Sequence, residues 1–153
     1  MKYIKFLFFS FAAVVAVACE PNLNDCPEIL RFPDAAFYEG DFTEQVGEEQ
    51  GTFFMHVELH KLTEGGYSLA ITDAGTDIQR EPMAVLFRRL DGELDAGIIS
   101  FDAQDVTGMI NLDEHTFASL NAELTPDRAV ITLDFGDEKV WTCDIEAVKY
   151  YLE

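Results

Sequence analysis

Two of the three histidines sit four residues apart with a glutamate midway, His56-x-Glu58-x-His60, inside the stretch FFMHVELHKL at 53–62. Imidazole nitrogens and a carboxylate are legitimate zinc ligands. On a β-strand, residues i, i+2 and i+4 share a face and lie ~6.6–6.8 Å apart, so neighbouring pairs could converge on one ion. The spacing differs from the helical H-E-x-x-H of metalloproteases, because Glu58 is in the wrong place. A further ligand would have to come from elsewhere, and His115 is the remaining histidine. The same alternation also describes a half-exposed strand, with Phe53, Met55, Val57 and Leu59 facing a core and Phe54, His56, Glu58 and His60 facing water. The solvated face is the expectation, and no metal or cofactor is assigned.

Other groups able to do chemistry are few. Asp91-Gly92-Glu93-Leu94-Asp95 and Asp73-Ala74-Gly75-Thr76-Asp77 could offer oxygens to calcium, yet neither matches an EF-hand loop, and Asp and Gly are ordinary turn residues. The chain has no G-x-S-x-G, P-loop or dinucleotide fingerprint. Arg88-Arg89 is a lone basic pair that strict alternation would send to opposite faces. No catalytic residue is assigned, and the expectation is that the protein is not an enzyme.

The elements that must carry these residues are short and alternate with period two. Strands are expected at 37–43, 52–62, 67–72, 98–101, 106–112, 116–124, 129–135 and from 139 to about 152, with 46–51 an acidic loop. Residues 83–90 suit either a strand or a short helix. Thr63-Glu64-Gly65-Gly66, Asp91-Gly92, Thr125-Pro126-Asp127 and Gly136-Asp137-Glu138 read as turns. Stripes of one polarity recur: Tyr67, Leu69, Ile71; Ala129, Ile131, Leu133, Phe135; and Trp141, Cys143, Ile145, Ala147. No segment makes a convincing amphipathic helix. The fold class is all-β, with short connections favouring a single antiparallel meander barrel and a β-sandwich as the alternative.

The first residues, MKYIKFLFFSFAAVVAVAC, have a basic start at Lys2 and Lys5, an apolar run from Phe6 to Ala18 and small residues before Cys19. That is the layout of a secretory signal, and the run is short for a membrane span of ~20 residues. Ala16-Val17-Ala18-Cys19 resembles the lipobox of bacterial lipoproteins. The resemblance implies cleavage before Cys19, a lipid on its sulfur, and attachment to the bacterial cell envelope, at the outer membrane on its periplasmic or surface side. The expected organisation is a signal peptide over 1–18, anchor and tether over 19–28, and an all-β domain over 29–153. With Cys19 lipidated, Cys26 and Cys143 remain, and an even pair in an oxidising compartment suggests one disulfide. Such a bridge would close a loop of more than a hundred residues, worth about 4.7 kcal/mol in the chain-entropy model.

Gly40-Asp41-Phe42 is a glycine-x-aromatic motif on the first strand of a meander of about eight. With the signal peptide, it resembles small lipocalin-like barrels of bacterial lipoproteins, which usually carry Trp where this chain has Phe42. The resemblance implies a cup for a small apolar ligand.

Charge narrows the partners. The chain carries −19, and cleavage before Cys19 would remove two lysines and no acids, leaving −21 on 135 residues. Such a field repels nucleic acid and anionic headgroups and attracts cations or a basic protein. The expected function is a membrane-anchored, non-enzymatic binding module for a small apolar ligand or a protein partner. The alternatives are an inhibitor or immunity lipoprotein capturing a basic enzyme such as lysozyme, and a zinc-binding protein built on His56, Glu58 and His60.

Overall fold

The computed structural model describes residues 31–73 and 83–148. Residues 1–30, which hold the expected signal peptide, Cys19 and the expected tether with Cys26, lie outside the described residues, as do 74–82 and 149–153.

The described chain forms nine strands: β1 (Ala35–Val46), β2 (Glu49–Lys61), β3 (Tyr67–Asp73), β4 (Ala84–Leu90), β5 (Glu93–Asp95), β6 (Ile98–Ile110), β7 (Asp113–Leu124), β8 (Arg128–Asp134) and β9 (Lys139–Ala147). They pair antiparallel in the order β4-β3-β2-β1-β9-β8-β7-β6, and β4 closes on β6. The result is an eight-stranded meander barrel of the lipocalin-like kind, with β5 as an extra strand hairpinned onto the start of β6. A sandwich is excluded by the closure. One pole carries Arg31, the β2–β3 turn and residues 125–127, and is called the lower pole. The upper pole carries the turns at 47–48, 111–112 and 135–138.

Alternation fills the interior. Met55, Val57 and Leu59 on β2, Leu69 and Ile71 on β3, Ile131 and Leu133 on β8 and Trp141 on β9 are all 0 % exposed. Gly40 lets β1 cross closely over β9, since a Cβ there would lie 2.6 Å from Ile145 Cγ2. Phe42 packs edge-on against Trp141, with centroids 6.2 Å apart. The large aromatic pair of the barrel is thus shared between two strands, with the indole on β9.

Three expectations change, and one open choice is settled. The acidic segment 46–51 is a tight turn between two long strands. Residues 84–90 are a strand, which the seam between β3 and β6 requires. Residues 98–110 are one strand, although the sequence shows two. Its inward stripe runs through Ile99 and Phe101 and then changes parity to Val106, Gly108 and Ile110, with Asp105 at φ +48° between them. Its partner β7 changes parity at the same height, from Leu120 to Phe117, so the ladder keeps its register through the kink. Finally, Arg88 and Arg89 both face solvent. Leu69↔Phe87 is followed by Tyr67↔Leu90, so β4 has one residue more than β3 here, and this bulge turns both guanidinium groups outward.

The barrel is sealed at one small seam. Only Val85↔Ile110 and Leu86↔Met109 join β4 to β6. Asn111 extends that seam: its N–H donates to the Ala84 carbonyl at 2.9 Å, and its Oδ1 accepts from the Ala84 N–H at 2.8 Å. Below, the rings of Phe87 and Phe117 meet over Gly108, where a Cβ would lie 2.8 Å from Phe87 Cε1 and 2.9 Å from Phe117 Cε2.

Candidate functional site

The histidine face is where alternation puts it, on the outside of β2. His56 and His60 are half-exposed, and each is engaged separately. His56 Nδ1 lies 3.6 Å from Glu39 Oε2 on β1, the residue directly opposite in the ladder. His60 Nε2 lies 3.7 Å from Glu58 Oε2. Each ring also meets a phenylalanine edge-on, His56 with Phe54 and His60 with Phe37. His115 belongs to β7, on the opposite side of the ring of strands. Among the described residues no group of three or more His, Cys, Asp or Glu is placed to hold a metal ion. Of the calcium-type turns, Glu93–Asp95 is β5, and 74–77 lies outside the described residues.

Cys143 sits on the inward stripe between Phe42 and Ile131, as the sequence pattern requires. Burial pushes its thiol up to about 12, with a smaller push from Asp144 and an opposing backbone hydrogen bond from Ile131. Cys26, the partner expected for it, and Cys19, the expected lipid site, lie outside the described residues.

At the upper pole the inward stripes end in ionisable groups. Glu44 continues the stripe of Tyr38, Gly40 and Phe42, and Lys139 continues that of Trp141 and Cys143. Glu44 Oε2 accepts from the Trp141 indole N–H at 2.6 Å and lies 3.2 Å from Lys139 Nζ. The Lys139 ammonium stands over the Phe135 ring at 4.6 Å and near Trp141 at 5.4 Å. His115 Nε2 is 3.1 Å from the Phe135 carbonyl and its ring packs on Phe117. This network caps the core and satisfies the one buried indole. Sequence reading passed over it, although an acid and a base on apolar stripes are a usable signal.

Above this cap the pole is acidic. Glu48, Glu49, Asp113, Glu114, Asp137 and Glu138 are all exposed. Lys139, the described base at this pole, is held by Glu44. Other described bases lie toward the lower pole. Lys61 pairs with Asp34 at 3.5 Å, and Arg128 pairs with Asp144, whose carboxyl it holds below the usual range through that hydrogen bond. A shallow cleft of about 410 Å³ beside the Arg128–Asp144 pair is lined by Asp127, Arg128, Asp144 and Glu146. At the same pole the Tyr38 hydroxyl donates to the Thr125 carbonyl at 2.6 Å, and burial, then Asp127, push its ionisation well above the ordinary range.

No family model, no curated protein and no solved structure matches the chain.

Proposed function

We propose that this chain is a lipid-anchored protein of the bacterial cell envelope, without enzymatic activity, that binds a protein partner on the outside of a filled barrel. The filled interior carries the choice between protein and small apolar ligand. Lipid carriers of this architecture need an empty lumen, whereas here Phe42, Phe87, Phe117 and Trp141 are fully buried and not even a methyl group fits at Gly108. The lipobox supports the anchoring, and charge supports a basic partner, since opposite charge speeds encounter and selects against acidic competitors. A basic enzyme such as a lysozyme is one instance, which would make the chain an inhibitor or immunity lipoprotein. The separate engagement of His56 and His60 weighs against the zinc reading.

The test has two arms. The protein purified from membranes is titrated with a fluorescent fatty acid while Trp141 emission is followed, and cross-linking in the intact envelope is read by mass. The proposal expects no saturable uptake of the fatty acid and a salt-sensitive protein adduct. Saturable uptake that changes Trp141 emission would return the reading to a ligand carrier.

A further inference from the structure

Leu112 is 84 % exposed, the most exposed of the large apolar side chains among the described residues, and its φ is +75°. With Asn111, at φ +49°, it forms the centre of a two-residue turn between the paired Ile110 and Asp113. Turns of this type favour Asn followed by Gly, because both positions need positive φ. Asn111 has a structural task there, clamping the start of β4 through Ala84. The turn explains the backbone of Leu112 but not its side chain. A leucine is disfavoured in this region and gains nothing from burial at this site; glycine would remove both costs.

The turn is also placed to reach outward. Ser119 of β7 pairs with Asp134 at the end of β8, so β7 from 113 to 118 runs on without a β8 partner. The tip of the β6–β7 hairpin is held to the start of β4 by Asn111 on one side and to the β8–β9 turn by the His115–Phe135 contact on the other, which leaves the Leu112 side chain exposed at the rim. Asp113 and Glu114 flank its tip. The two turns bearing Glu48 and Glu138 are tied together, since the Gly47 N–H donates to the Glu138 carbonyl at 3.1 Å.

We infer that Leu112 is the apolar anchor of a protein-docking surface at the upper pole, and that its occupant is a basic protein with an apolar recess rimmed by Lys and Arg. Charge complementarity selects that occupant: a second copy of this acidic chain, nucleic acid or an anionic membrane would meet like charge here. The inference rests on the protein-binding reading above and locates it.

Photoreactive p-benzoylphenylalanine is placed in the full chain at position 112, and as a control at position 94, an exposed leucine of β5 at the lower pole. After irradiation in the producing cells, adducts are identified by mass. An adduct with a protein of net positive charge is expected at 112, about tenfold above any at 94, as loss of an anchor residue implies. Leu112→Gly should melt at or above the wild-type temperature and co-isolate about tenfold less of the same protein. An adduct at 94 alone, equal adducts at both, an acidic partner, or unchanged co-isolation by Leu112→Gly would overturn the docking surface while leaving the protein-binding reading intact. No protein adduct at either position would overturn the docking surface, and the absence of any salt-sensitive adduct from cross-linking in the intact envelope would overturn the protein-binding reading with it.

Discussion

Removing the Glu44 carboxylate should destabilise the barrel through Trp141. The indole is 0 % exposed, and its N–H donates to Glu44 Oε2 at 2.6 Å. In Glu44→Ala the buried donor loses this acceptor, a cost of about 1–3 kcal/mol. The Lys139 ion pair at 3.2 Å is lost as well; both side chains are only about one-fifth exposed, 22 % and 18 %, so screening is partial. That adds up to about 1 kcal/mol. The total is about 1–4 kcal/mol, or roughly 4–16 °C in Tm at about 4 °C per kcal/mol. Glu44→Gln keeps an acceptor for the indole and gives up the charge, so it should cost about 1 kcal/mol. The assay is urea unfolding followed by fluorescence. Trp141 is the sole tryptophan, so the reporter sits at the perturbed bond. A cycle with Lys139→Met separates the indole bond from the ion pair. The reasoning fails if Glu44→Ala costs less than about 0.5 kcal/mol, or if Glu44→Gln costs as much as Glu44→Ala.

Three further outcomes are expected. Gly108→Ala should overpack Phe87 and Phe117, whose ring atoms lie 2.8 and 2.9 Å from the new Cβ, and lower stability by about 1–3 kcal/mol in the same urea assay. Gly40→Ala should be destabilised by its clash with Ile145 Cγ2 at 2.6 Å, and adding Ile145→Ala should recover part of the loss; strict additivity of the pair would contradict the contact. With the chain held reduced, the Cys143 thiol is raised from 9.0 to about 12, so between those values the unfolded state has lost a proton that the folded state keeps. This contribution is fully present below pH ~9 and disappears as pH rises toward ~12, and at pH 8 the thiol should react with Ellman's reagent only after unfolding.

The parts of the fold legible in the sequence are those where one period rules a whole strand. β2, β3, β8 and β9 alternate without interruption, so their buried stripes and the outward histidines follow from the order of residues alone. β6 reads as two strands because its inward stripe changes parity at Asp105, and the matching change of parity in β7 is invisible until the strands are paired. The Arg88–Arg89 bulge was hidden for a similar reason: only the count of residues between Leu69↔Phe87 and Tyr67↔Leu90 shows the extra one. The loop expected at 46–51 came from reading acids and glycines as irregular chain, whereas polar residues continue a strand readily where it rises above the core. The upper-pole cap depends on Glu44, Lys139 and Trp141, which are brought together by β1–β9 pairing across nearly a hundred residues. Spacing along the chain does not show that meeting; the sequence carries only the acid and the base that end otherwise apolar stripes. The sequence places Leu112 at the end of a strand over 106–112, whereas β6 ends at Ile110 and Leu112 lies in the turn; its meaning is in its φ and its exposure.

Native mass spectrometry of the whole protein, isolated from the producing cells without chelator at low salt, tests the central claim most directly. The account predicts a barrel whose lumen holds no small molecule, bound to one basic protein, with that complex dissociating when salt is raised. A small apolar molecule retained at low and high salt and released only on denaturation, with no protein partner, would contradict it.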